Sequence, residues 1–309
     1  MLLYNGKAIF FGAANNKGHG NTVLYTLPAS ASQKGKWTTG PDIPLVDGEV
    51  MVCNDCPATL MPNGKVLFTA SKFVANGWGA PIFFFEYDPA ANEISQAPTP
   101  PNNATYPSSD PADAGVYWSR MMLLPNGQVL FSASSSNVQI YQPDGDHQDG
   151  WRPAIASVAP HGPSLSDYFL IQGTQLNGLS QANIYGDDCS SSTNYPLVRL
   201  TSTASGEVFY RRTHDFSTMG VSTGTSLQSC RFTPGDLPAG TYDLRVVANG
   251  IPSHAYSFTY VSRGKPQLAD MTRVPDFQNL ANGGGDKRME QEKGVALNEL
   301  RSRLASAHP

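Results

Sequence analysis

The sequence predicts an all-β protein, with a partial β-propeller of about three blades ahead of an immunoglobulin-like β-sandwich. Three observations predict it. A hairpin phrase, apolar run then Asn-Gly then apolar run, occurs three times in the first half of the 309 residues. The second half carries about seven short strand-like runs in roughly 105 residues, the density of an immunoglobulin-like sandwich. Gly, Pro, Ser, Thr and Asn are abundant alongside Tyr and Phe, a mix that suits short strands joined by tight turns.

The first hairpin runs from Leu2 through Asn5-Gly6 to Phe11, the second from Ala58 through Pro62-Asn63-Gly64 to Phe68, and the third from Met121 through Pro125-Asn126-Gly127 to Phe131. Asn-Gly accepts the positive φ that a tight hairpin demands, and Pro presets φ at the preceding position. Gly6, Gly64 and Gly127 recur at a period of about 60 residues, a little longer than the ~50 of kelch propeller repeats. After each hairpin comes a strand ending in Tyr25, Tyr87 or Tyr141. Asp88-Pro89 and Gln142-Pro143 stop the latter two. Further strands at Lys36-Trp37-Thr38 and Gly150-Trp151-Arg152 complete the first and third repeats. Residues 1–152 therefore read as kelch-type blades. Propellers close with typically 4–8 blades, so three signatures imply an amino-terminally truncated piece, or blades supplied by a partner or a second copy. A remnant reading frame without a function of its own is a further reading.

From Pro153 the blade phrase disappears. Runs at Tyr168–Gly173, Ala182–Tyr185, Leu197–Leu200, Val208–Arg211, Tyr242–Val247 and Ala255–Tyr260 assign 153–261 to the immunoglobulin-like domain. Residues 262–309 read as a Pro/Gly/Asn-rich leash and a marginal amphipathic helix with Met289, Val295, Leu297, Leu300 and Leu304 partly at helical spacing.

Composition narrows the function. Only 15% of residues are charged and the formal net charge is -4, which leaves no basic face for nucleic acid. No apolar stretch reaches the roughly 18 residues of a membrane span. The opening residues read as strand and not as an export signal. Cys53 and Cys56 form a C-x2-C without the second ligand pair of a structural zinc site, leaving a small-loop disulfide or two free thiols. Cys189 and Cys230 are a candidate disulfide closing a loop of ~40 residues, worth about 3–4 kcal/mol. Asp187-Asp188 and the run Asp144 to Asp149 read as solvated turns before calcium loops. No phosphate-cradling, dinucleotide or nucleophile-elbow motif is present.

A kelch propeller followed by an immunoglobulin-like domain resembles the galactose oxidase and glyoxal oxidase family, over roughly residues 1–261. Two phrases carry the resemblance: Tyr117-Trp118-Ser119 leading into the third hairpin, and Arg212-Thr213-His214-Asp215 in the later domain. Gly240-Thr241-Tyr242 and Val247 to Ser253 also fit the family's last strands. The resemblance implies a copper-radical oxidase that turns an alcohol or aldehyde and O2 into peroxide, with Tyr117 and His214 as copper ligands, and it implies a secreted or cell-surface location. Trp118 stands where the family has its second copper His, and an indole has no lone pair for a metal. Cys56 precedes a hairpin as the radical cysteine does, but on a different blade and without a partner Tyr. His214 also reads as a hydrogen-bonded contact residue whose tautomer Asp215 sets. Without an intact copper site the expectation is a non-catalytic module for a carbohydrate or protein ligand, needing no cofactor, with Trp78, Tyr106 and Trp118 as ligand-binding aromatics.

Overall fold

The computed structural model is all-β. It describes residues 1–14, 20–74, 77–98, 116–133, 138–161, 168–180, 183–184 and 196–261, all within one compact unit, Met1–Arg263. A second unit, Gly264–Pro309, lies outside the described residues, and so does the tail helix expected there.

Three small antiparallel sheets come first. One holds β1 (Lys7–Ala14), β2 (Gly20–Thr26) and β3 (Lys36–Thr39), in that order. The next is built from β4 (Met51–Val52), β5 (Ala58–Leu60), β6 (Val66–Val74), β7 (Gly77–Asp88) and β8 (Glu93–Gln96), with β6 at its centre. The third holds β9 (Arg120–Leu123), β10 (Val129–Ser132) and β11 (Val138–Tyr141).

Each sheet is started by the same turn. The Gly6, Gly64 and Gly127 amides donate to the carbonyls of Leu3, Met61 and Leu124. The amides of Leu3, Met61 and Leu124 in turn donate to Lys7, Lys65 and Gln128. The Oδ1 atoms of Asn5, Asn63 and Asn126 accept from the amides two residues on, at 3.1, 3.0 and 3.2 Å. The glycines have φ of +77°, +87° and +87°, a region closed to most side chains. Asn-Gly is thus needed twice over, for the side-chain acceptor and for the left-handed backbone.

The second sheet is covered on both faces. Val66 to Ser71 is buried at every position, where a sheet with one wet face would alternate. Phe68, fully buried, meets Phe11 of the first sheet with ring centroids 4.3 Å apart and Phe85 of its own sheet at 5.6 Å. Phe84 points to the opposite face and meets Phe131 of the third sheet edge-on at 4.7 Å. One continuous core results, from Leu3 to Ala133.

The remainder builds a second core. The remaining strands are β12 (Ala154–His161), β13 (Tyr168–Thr174), β14 (Asn183–Ile184), which joins the second sheet, β15 (Leu197–Ser202), β16 (Val208–His214), β17 (Leu227–Phe232), β18 (Gly240–Ala248), β19 (Ile251–Pro252) and β20 (Tyr256–Tyr260). All but β14 join one curled eight-stranded path, β12-β13-β17-β16-β15-β18-β19, with β20 also on β18. The path turns its corner at β16. Val208 to Arg212 pair with β15, whereas Thr213 and His214 pair with β17. Strands β13, β15 and β17 alternate buried and half-exposed residues, so one face lines the core and the other meets water. Phe169 stacks on Phe232 at 5.4 Å and meets Phe258 edge-on at 4.9 Å inside it.

The two cores are joined at the turns. β14 pairs with β5. Trp151 lies against the second turn, so close that a Cβ on Gly64 would stand 2.7 Å from its ring, and its ring meets Tyr4 at 4.6 Å. Gly250 (φ +68°) faces Gly127, where a Cβ would come within 2.8 Å of the neighbouring Cα. Arg152 donates to the Pro252 carbonyl at 2.7 Å.

Two outcomes follow for urea denaturation. Phe68→Ala should cost about 3–5 kcal/mol, while Trp37→Ala, at a position 56% exposed, should cost under about 0.5 kcal/mol. Gly250→Ala should cost about 1–3 kcal/mol, because it adds a backbone clash to a left-handed φ.

Candidate functional site

His214 ends β16, and its side chain is part-exposed. The chain leaves the strand through Asp215 at φ +51°, which brings the Asp215 carboxylate 3.2 Å from His214 Nδ1. The same carboxylate oxygen accepts from Arg231 at 2.9 Å, and Arg231 is the cross-strand partner of His214. The Arg231 guanidinium lies 4.8 Å over the Tyr168 ring. Tyr168 in turn meets His214 edge-on at 6.3 Å and His161 at 5.4 Å. The His214 hydrogen bond, then Arg231, holds the exposed Asp215 carboxyl below its ordinary value of 3.8. This is a surface network of cation, carboxylate and ring.

Tyr117 is carried by a different element. It lies in a single 3-10 turn, Val116–Trp118, packed on β6 and β7. Its carbonyl accepts from Arg120 at 2.8 Å. Ser119, fully buried, ties the turn down by donating to the Val116 carbonyl at 2.6 Å. Among the described residues no three His, Cys, Asp or Glu side chains gather to hold a metal. The candidate copper set offers one imidazole at His214 and one phenol at Tyr117, with an indole at Trp118 in place of the second imidazole. That falls short of the tetragonal nitrogen and oxygen set copper(II) prefers.

Of the ligand-binding aromatics read from the sequence, Tyr106 lies outside the described residues. Trp78 is placed on β7 opposite Phe73, and Trp118 in the 3-10 turn, but only their backbones are described. Cys189 and the Asp187-Asp188 loop also lie outside them, while Cys230 is fully buried in the second core, where burial pushes its thiol up to about 12. Cys53 and Cys56 are two free buried thiols. Burial raises the Cys53 thiol first, and its hydrogen bond with Cys56 adds to that; its sulfur donates to the Thr69 carbonyl at 3.2 Å.

A different aromatic surface is fully described. On the first sheet, Ile9 and Leu24 turn into the core and Phe10, Tyr25 and Trp37 turn out. The rings form one contiguous group: Phe10 to Trp37 is 5.2 Å and Tyr25 to Trp37 is 4.8 Å. Phe10 is 50% exposed. Gly35 makes room for Tyr25, since a Cβ there would stand 2.1 Å from the Tyr25 hydroxyl. Sequence reading took Trp37 as a blade-closing strand residue. The available signal was the alternation Ile9-Phe10-Phe11, which sends one large ring to each face.

No protein-family model matches the chain, and no curated protein matches it. The functional reading therefore rests on these residues.

Two measurements bear on the site. Cys53, Cys56 and Cys230 should resist a thiol reagent in the folded chain and react at once in denaturant, read by mass spectrometry. Asp215, Asp146 and Asp149 all have folded-state values lowered by their partners. The stability they contribute is complete above the unfolded carboxylate range and lost as pH falls through the folded values. Asp215→Asn should therefore flatten the acid limb of a stability-against-pH curve below about pH 4, and leave the neutral limb's slope unchanged.

Proposed function

We propose that the chain is a non-catalytic binding module, a partial kelch-type propeller with an immunoglobulin-like domain, that holds a carbohydrate on the outer face of its first sheet. It acts outside the cell in this reading, in line with the resemblance to the galactose oxidase and glyoxal oxidase family. The observation that carries it is the Phe10, Tyr25 and Trp37 group: three contiguous rings on one outward sheet face, two of them at least half exposed. Contiguous rings on one face supply apolar area to the C–H faces of pyranose units. Neither electron transfer nor an ionised nucleophile is required.

Pull-down on insoluble cellulose and chitin, with soluble glucans in affinity electrophoresis, tests the proposal. Wild-type retention on at least one polysaccharide, reduced tenfold or more by Trp37→Ala with unchanged melting, is the expected result. Two outcomes overturn it. Concentration-dependent self-association abolished by Trp37→Ala, with no polysaccharide retained, would make the face a seat for a protein, a second copy supplying the further sheet. Stoichiometric copper lost on His214→Ala would replace the binding module with the oxidase.

A further inference from the structure

The curled sheet gathers three arginines that lie far apart in the sequence, Arg199, Arg212 and Arg245. On β15, Val198 and Leu200 are fully buried in the second core, so Arg199 between them belongs to the opposite face. The register carries that face across three neighbouring strands. Arg199 stands directly opposite Arg245 of β18 on one side and Tyr210 of β16 on the other. Arg212 stands opposite Leu197, one row along, which makes it the diagonal neighbour of Arg199. Directly paired Cβ atoms are about 4.5–5.5 Å apart and diagonal ones about 7–8 Å, so three long side chains share one patch.

Like charges placed opposite each other weaken a sheet, and this pair is not offset by a carboxylate. Among the described residues, no hydrogen bond or ion pair holds the guanidinium of Arg199 or Arg212. Arg245 uses one donor on the Ser253 carbonyl at 2.7 Å and keeps the rest. Asp243 lies on the same face one row beyond, opposite Thr201 and Ser257, and forms no ion pair among the described residues. Elsewhere the arginines are matched: Arg152, Arg211 and Arg231 each have a carboxylate at 2.7, 2.7 and 2.9 Å. The unmatched patch is also reachable. Arg212 is exposed, Arg199 and Arg245 are part-exposed, and Tyr210 and Val208 beside them are 41% and 40% exposed.

We infer that this face binds an acidic sugar, a saccharide unit carrying a carboxylate or sulfate group, through the guanidiniums of Arg199, Arg212 and Arg245. A guanidinium presents its N–H donors as a planar fork that meets the oxygens of an oxyanion two at a time. An oxyanion set between opposed arginines turns their mutual repulsion into two attractions. Arg199 Nε is buried, so contact falls to its terminal nitrogens and to the other two arginines. Tyr210 and Val208 set the class, because apolar area beside the cations suits the C–H face of a sugar and is wasted on a bare ion. Nucleic acid fits poorly, since three cations on a chain of formal net charge -4 neutralise few phosphates. The site lies on a different sheet from Phe10, Tyr25 and Trp37 and goes beyond the reading given above.

Calorimetric titration of the full chain with oligogalacturonate and with a sulfated galactan oligosaccharide is the test. Saturable binding of at least one is expected. Arg199→Gln and Arg245→Gln should each weaken it tenfold or more, and Arg212→Gln by a smaller factor. Raising NaCl from about 50 to about 500 mM should weaken it as well. Trp37→Ala should leave it unchanged, so that this site and the polysaccharide face stand or fall separately. No saturable binding of either ligand overturns the inference, and so does binding undiminished in all three arginine variants. Equal binding of the fully methyl-esterified oligomer overturns it by making charge irrelevant. Sodium acetate or sulfate bound as tightly as the sugar overturns it too, by leaving a site for bare anions. Should Arg199→Gln fail to fold, Arg212→Gln, at an exposed position, and the ester comparison decide the question.

Discussion

The contact between Phe11 and Phe68 on one side of the second sheet, and between Phe84 and Phe131 on the other, is the constraint from which the first half of the molecule follows. A sheet buried on both faces cannot stand alone in water. Val66 to Ser71 is buried at every position, and Ile82, Phe84, Phe85 and Tyr87 are buried beside it. The flanking sheets are smaller and need only one dry face each, so their inward residues, Ile9 and Leu24 or Val129 and Phe131, are buried while their outward ones are not. The exposed rings of Phe10 and Trp37, and the exposed Met122 and Ile140 on the third sheet, are the far sides of that arrangement. Position in the stack, more than residue type, decides which apolar groups meet solvent.

The joint between the two cores obeys a different rule. It is made almost wholly by turns, where backbone approaches backbone at Gly127 and Gly250, and where Trp151 covers Gly64. Residues without a side chain are the only ones that permit such approach. His147, on the loop that Asn63 holds beside that joint, is only 10% exposed.

How much of this can be read from the residues depends on whether the signal is local. The Asn-Gly turns are local, and their three copies match hydrogen bond for hydrogen bond. Tyr242 to Val247 alternates apolar and polar residues, and Tyr168 to Ile171 is a short aromatic and aliphatic run of strand length, so both strands are legible too. The Phe83-Phe84-Phe85 run has no period, and a continuous apolar run cannot say which neighbour covers which face. The curled single path of the second core hinges on β16 changing partners, from β15 at Arg212 to β17 at Thr213, a long-range event with no local mark. Likewise, the pairing of His147 with Asp146 is adjacent in sequence, yet its burial depends on turns more than 80 residues before and about 100 after it. The ligand-binding expectation fell on Trp78, Tyr106 and Trp118 because aromatic loop residues stand out in a string of letters. Trp37 does not, since its exposure is set by the lack, among the described residues, of a layer over that face.

The dry thiols of Cys53, Cys56 and Cys230 have a practical consequence for handling. While folded, the chain keeps these sulfurs away from oxidants, because burial withholds them from solvent and raises the Cys53 and Cys230 thiols. Heating in air would release several nucleophilic sulfurs at the same moment. Mismatched cross-links and sulfenic products would then compete with refolding. A melting scan without reductant would report the pace of that chemistry as much as a thermodynamic midpoint, and reversibility would return when a reducing agent is present.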